Sequence, residues 1–264
     1  MGEEQNPYKA PESNVDNVPT TGQGETPAPE PRAVDAGRGV GWFGEGWQLF
    51  KAAPGVWIAN IVILFVIMMV LSLIPLVSLL TNLLSPVFMG GLMMGCRDLD
   101  RGEPLTVNHL FAGFSHRTGT LIGLGALYMV LVIVVVAIGM AFMAGMGGGM
   151  ATMMDPNAGG DPAAAGAAMM IGMLVMMALL IPVIMLYWFA PALIVLHPEV
   201  GVIDAMKLSF AGCLKNILPF LVYGIIGFII AIVATIPLGL GWLVAGPVFI
   251  GSIYAGYKEI FLGE

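Results

Sequence analysis

What this chain most lacks is charge. Only 10% of its 264 residues are Asp, Glu, Lys or Arg, and four long stretches hold none. Between Lys51 and Arg97 lie 45 such residues, between Arg117 and Asp155 another 37, between Asp161 and Glu199 another 37, and between Lys215 and Lys258 another 42. A soluble globular domain, with about 25% charged residues, is excluded. The same lack weighs against proton relays, ion-coupled carriers and intramembrane hydrolases, which need a charge or proton carrier at depth. Pores lined by carbonyls or hydroxyls escape that argument. Cysteine is scarce too: Cys96 and Cys213 fall at expected cytoplasmic helix ends, so no disulfide framework is expected. The first 40 residues are acidic and contain no apolar run. No cleavable signal peptide is expected, and the first span would act as its own targeting signal. No Gly-rich phosphate loop, nucleophile elbow or paired acid and base is present. No catalytic residue, cofactor or metal site is assigned; the chain reads as a non-enzyme without a nucleic-acid partner.

What is present is apolar length. Hydrophobic residues make up 58% of the chain, and the mean hydropathy is +0.91. About 20 apolar residues cross a bilayer core of about 30 Å, so the first and last uncharged runs hold two passes each and the middle two one each. The fold class expected is all-α: a polytopic bundle of six transmembrane helices, since lipid offers no partner for open backbone groups. The spans fall near 56–74, 79–96, 119–143, 164–196, 217–236 and 240–257. The fourth stretch has 33 residues, about 50 Å as one helix, and is expected to tilt or to project beyond the bilayer. In this arrangement all ten Lys and Arg lie on the side of the termini and none on the other, which predicts cytoplasmic termini in a bacterial inner membrane.

Residues 1–40 carry six Pro, and their one aromatic before Gly41 is Tyr8. They are expected to form a disordered cytoplasmic tail, either a solvated leader or a docking peptide. The membrane domain then covers 41–264. Three amphipathic segments are expected on its cytoplasmic side. Phe43, Trp47 and Phe50 share one face beside Lys51; Val107, Leu110, Phe111 and Phe114 share another, with Thr106 as N-cap; Ile203, Met206, Phe210 and Leu214 share a third.

One string is written twice. PVFMGGLMMGCRDLDRGE at Pro86–Glu103 and PVFIGSIYAGYKEIFLGE at Pro247–Glu264 agree at seven of eighteen positions without a gap. Arg97–Asp98 in the first copy faces Lys258–Glu259 in the second. Ile-Pro pairs at 74–75, 181–182 and 236–237 precede Pro86, Pro191 and Pro247, and Phe-Ala-Gly recurs at 111–113 and 210–212. These echoes predict three parallel repeat units, about 41–103, 104–199 and 200–264. Each would be a cytoplasmic amphipathic helix, an outward span, an Ile-Pro turn and a Pro-containing return span.

The run FAPALIVLHPEVGVIDAMKLSFAGCLKN (Phe189–Asn216) resembles uncharacterised inner-membrane protein families of proteobacteria. It is also similar to the membrane domain fused to some bacterial glycerophosphodiester phosphodiesterases. Ala190-Pro191, Ala205, Lys207, Ser209 and Asn216 carry the likeness. The phosphodiesterase catalytic domain has no counterpart in this chain, so that activity is not implied. The resemblance implies a membrane module of unknown function.

Three features compete for a role. Twelve of the 20 Met lie between Met140 and Met185. Met146, Met150, Met153, Met154, Met169 and Met173 would suit copper(I) or silver as soft ligands, or serve as adaptable packing. Cys96, Asp98, Asp100, Glu103, His109 and His116 crowd one loop but match no tetrahedral zinc spacing. Gly91-x3-Gly95 and Gly251-x3-Ala255 are small-residue surfaces for bundle packing or for a homo-oligomer or membrane-protein partner. The leading expectation is a non-catalytic protein acting through partners, lipids or self-assembly. The alternatives are a channel or carrier for an uncharged or lipid-like solute, and soft-metal handling.

Overall fold

Apolar runs of this length become helices because only a helix satisfies its own backbone groups in lipid. The computed structural model describes residues 29–73, 78–145 and 162–264, which are mainly helical and contain no strand. Ten α-helices follow in order: α1 Arg38–Ala52, α2 Pro54–Ser72, α3 Ser78–Asp100, α4 Asn108–Ala112, α5 Thr118–Gly145, α6 Pro162–Tyr187, α7 Ala190–Leu196, α8 Val202–Lys215, α9 Ile217–Thr235 and α10 Trp242–Tyr257. A π-turn, Lys258–Leu262, extends α10. Among the described residues four stretches are long and apolar enough to cross a membrane: Pro54–Ser72, Thr118–Met143, Gly166–Leu196 and Ile217–Thr235. These carry the exposed apolar surface, such as Phe65, Val130, Met173 and Phe228. By contrast α3 and α10 are largely buried, through Val87, Phe88, Leu92 and Met93 on one and Val248, Ile250 and Tyr254 on the other.

The helices at the charged end dock by one device used twice. Helix α1 lies along α10, and α4 lies on α3. A methyl group on Gly46 of α1 would land on the Val248 carbonyl, and one on Gly113, just after α4, would land on the Val87 carbonyl. Val87 and Val248 occupy the same place in the doubled string. An acid at the end of each copy completes the joint. Asp98 accepts a hydrogen bond from His109 Nε2 at 3.0 Å. Glu259 accepts from Trp42 Nε1 at 2.7 Å and from Arg38 Nε at 2.6 Å. Gly91, Gly95 and Gly251 pack against His109, Leu105 and Gly46, so the small-residue surfaces serve contacts inside the bundle.

Three expectations change. The fourth apolar stretch is not one rod: it stops at Tyr187 and restarts at Ala190. The ladder opens at Phe189, two residues before Pro191, and Ser209 of α8 bridges the N–H and carbonyl left unpaired there. Its Oγ accepts from the Phe189 N–H at 2.9 Å and donates to the Met185 carbonyl at 2.7 Å. Pro182 lies inside α6, so the middle Ile-Pro pair is no turn; Pro237 does lie in the turn after α9, where Leu238 and Gly239 take positive φ. The second amphipathic segment is a helix of only five residues, and Val107, not Thr106, stands at its N-cap position. The Thr106 N–H instead donates to His109 Nδ1 at 3.0 Å, which leaves Nε2–H for Asp98. Pro75, the tail before residue 29, and Met146, Met150, Met153, Met154, Asp155 and Asp161 lie outside the described residues.

Candidate functional site: an apolar groove between α6 and α9

Long helices in this bundle are mostly paired along their length. Helix α5 packs against α3 and α6, and α2 packs against α10 and α3. Helix α9 touches α1, α10 and α8 but stands off α6. The space between them is a groove of about 860 Å³. Ile181, Ile184, Met185 and Trp188 form one wall, and Ile217, Phe220, Leu221 and Gly224 begin the other. Cys213 and Leu214 of α8 lie at one end, Ala231 of α9 towards the other, and Phe249 of α10 and Tyr223 at the floor. About 14 residues of α9 separate Ile217 from Ala231, roughly 20 Å of helix at 1.5 Å per residue.

Two aromatic contacts hold the groove open. Trp188, at the break, meets Phe220 and Tyr223 edge-on, each with ring centroids 5.8 Å apart. Tyr223 stacks on Phe43 of α1 at 4.4 Å, and Gly39 of α1 reaches the Pro219 carbonyl. Helix α9 is thus drawn towards α1 on one side and propped away from α6 by an indole on the other. The polar atoms of the floor are already engaged. The Tyr223 hydroxyl is 2.8 Å from Ser252 Oγ, which donates to the Phe249 carbonyl. The Cys213 thiol points to the Met185 carbonyl at 3.8 Å, and burial pushes it up to about 12, so it stays protonated. Gly224 lines the groove, and a methyl group placed on it would meet nothing within 4 Å, so the lumen is open there.

The residues singled out from sequence scatter instead of converging. His109 pairs with Asp98, while His116 Nδ1 lies 3.1 Å from the Ala112 carbonyl. Burial would raise the Asp98 carboxyl, but hydrogen bonds from Arg97 and His109 outweigh it and hold it below the ordinary carboxylate range. Asp100 accepts from Lys258 Nζ at 2.7 Å, and Cys96 is a buried free thiol. Among the described residues no three His, Cys, Asp or Glu come together as a metal-holding group. Met169 and Met173 are exposed on α6, whereas Met143 and Met176 fill notches at Gly172 and Gly139 where α5 meets α6. Sequence reasoning passed over Trp188, Tyr223 and Gly224, because a groove depends on which helices fail to touch.

No protein-family model and no solved structure matches the chain. One relative is a protein of Burkholderia thailandensis named "probable inner membrane protein", 33% identical over 208 residues that cover 75% of each chain. At that identity and coverage, this chain belongs to the same family of inner membrane proteins as the Burkholderia protein.

Proposed function

We propose that the chain is a six-span, non-catalytic membrane protein that holds a bilayer lipid by its acyl chain in the groove between α6 and α9. The observation that carries this is a groove of about 860 Å³ with apolar walls, set between two helices long enough to cross a membrane. That volume is within the range of about 300–1,000 Å³ usual for ligand sites. In water such a surface would be a liability, but at bilayer depth acyl chains are the solvent that meets it.

Six spans follow if α3 and α10 also cross. Helix α3 has 23 residues, roughly 35 Å, and α10 runs unbroken into its π-turn. The packing order then supports three units arranged as a ring. Helix α4 of the second unit sits on return helix α3 of the first, α8 of the third on α6 and α7 of the second, and α1 of the first on α10 of the third. Outward helices follow the same rule at two seams, α5 on α3 and α2 on α10. The third seam, α9 on α6, is the one left open, and it is the groove. A carrier for a lipid-like solute would use the same groove, since it opens to the side where such a solute would enter.

The test is photolabelling of the full chain in phosphatidylcholine vesicles containing a phosphatidylcholine with a photoreactive acyl chain. Label should concentrate at residues 181–188 and 217–231. Gly224→Phe should cut it about tenfold, and Val134→Phe, on the outer surface of α5, should leave it unchanged. Even labelling of all exposed helices, insensitive to Gly224→Phe, would overturn the proposal.

A further inference from the structure

The groove has one charged end, and its chemistry points to a particular lipid. Lys215 lies in sequence between Leu214 and Ile217, both of which line the groove. It is exposed, and among the described residues it makes one bond, Nζ to the Pro31 carbonyl at 3.0 Å, which uses one of its three donors. Lys207 stands two turns earlier on α8, on the same face as Leu214, and is also exposed. Among the described residues its ammonium has no hydrogen-bond or ion-pair partner. Asp204 is the nearest acid along α8 and forms no ion pair with it; Glu199 is engaged with His197 at 3.4 Å. The groove lining contains no acid at all.

The neighbouring unit supplies an internal contrast. Arg117 follows Phe-Ala-Gly by four residues, counting from Gly113, and Lys215 follows its own Phe-Ala-Gly by three. Arg117 is turned inward, donating from Nη2 to the Val200 carbonyl at 2.6 Å, beside a seam that α5 closes. At the open seam the basic residue remains at the surface. An exposed ammonium beside an acyl-sized groove, bonded to a carbonyl and not to an acid, is placed for a lipid phosphate, because lysine presents a point charge with several rotatable donors. Ile203 and Leu214, exposed on the same helix, would set α8 at the headgroup level, where a lysine stem can lie along apolar surface with its ammonium in water.

We propose that the groove selects an anionic phospholipid, its acyl chain along α9 and its headgroup phosphate against Lys215 and Lys207. This rests on the groove being a lipid site, as proposed above. The experiment uses the full chain in vesicles carrying two photoreactive lipids with identical acyl chains, a phosphatidylglycerol and a phosphatidylcholine. The phosphatidylglycerol should label the groove preferentially. Lys207→Gln and Lys215→Gln should each reduce that preference about fivefold, the effect of one basic residue at an anionic surface. Labelling by phosphatidylcholine should not change in either variant, and added salt should weaken the preference. Equal labelling by both lipids, still blocked by Gly224→Phe, would overturn the headgroup assignment and leave the groove standing. A preference that survives in the double variant would overturn the role of these lysines. Labelling insensitive to Gly224→Phe, or a crosslink from a second copy into the groove, would overturn the lipid site itself.

Discussion

At the scale of single residues, the two acids of the doubled string explain why that string ends in charge. Asp98 and Glu259 occupy the same position, and each receives N–H groups from the helix docked on it. Trp42 is 1% exposed, so without Glu259 its indole N–H would be buried with no acceptor. Glu259→Ala should therefore cost about 2 kcal/mol, the usual penalty for a buried orphan donor. The Arg38 pair adds little to that figure, because the arginine side chain is 39% exposed. Thermal unfolding in micelles measures the loss, and Glu259→Gln, which keeps one acceptor oxygen, should restore about half of it. His197 makes a prediction of a different kind. Burial holds its imidazole below the ordinary value of 6.5, with Glu199 offsetting part of the effect. Its Nδ1 faces Glu199 and its Nε2 lies 2.6 Å from the Tyr257 hydroxyl, so the neutral ring accepts that proton donor. A base depressed on folding binds protons more readily when unfolded, so its contribution is intact above pH 6.5 and lost as pH falls. The melting temperature should drop between pH 7.5 and 5.5, and His197→Gln should flatten that part of the profile.

At the scale of elements, the break between α6 and α7 decides the shape of the site. Phe189 is 1% exposed and Ser209 is fully buried, so the freed backbone groups there have no water to turn to. Ser209→Ala should destabilise the chain by about 1–3 kcal/mol, the cost of leaving such groups unpaired. In the photolabelling assay it should also lower labelling of Trp188, since the indole is positioned by that break. Nothing in the local sequence announces it. Pro86 and Pro247 lie inside continuous helices, whereas Pro191 follows a break, although all three sit in equally apolar surroundings. The difference is tertiary, a serine hydroxyl arriving from α8. What sequence carried well was apolar length: the helix starts at Ile217 and Pro54, and the turn at Pro237, are within two or three residues of the expected bounds. The five-residue α4 was hidden for the opposite reason. Its apolar spacing suits a longer helix, but His109 binds the Thr106 backbone and Gly113 must press on Val87, which pins both ends. The methionines were conspicuous in sequence, yet those seen between α5 and α6 fill glycine notches.

At the scale of the molecule, the basic residues bind one another's surroundings. Arg38 reaches Glu259, Lys258 reaches Asp100, Arg32 reaches the Leu262 carbonyl, and Lys215 reaches the Pro31 carbonyl. These contacts tie the chain before α1 to the ends of α8 and α10, and the end of α10 to that of α3, so one end of the bundle collects them. The turn after α9 lies at the other end of that helix and holds no charge: Ile236, Leu238 and Leu240 are all exposed there. We propose from this segregation that the basic end faces the cytoplasm, as the positive-inside rule expects, since translocating Lys and Arg is costly and translocating leucine is not. Cysteine scanning in spheroplasts tests it, in a background where Cys96 and Cys213 are serine. Leu240→Cys should react with a membrane-impermeant maleimide added outside. Arg101→Cys, exposed in the loop after α3, should react only after the membrane is permeabilised. The reverse pattern would place Lys207 and Lys215 on the outer face, and the groove's charged end would then open to the outer leaflet. Labelling of both sites from outside would mean that one of α5, α6 and α9, the three long helices between them, does not cross, and the ring of three units would fail with it.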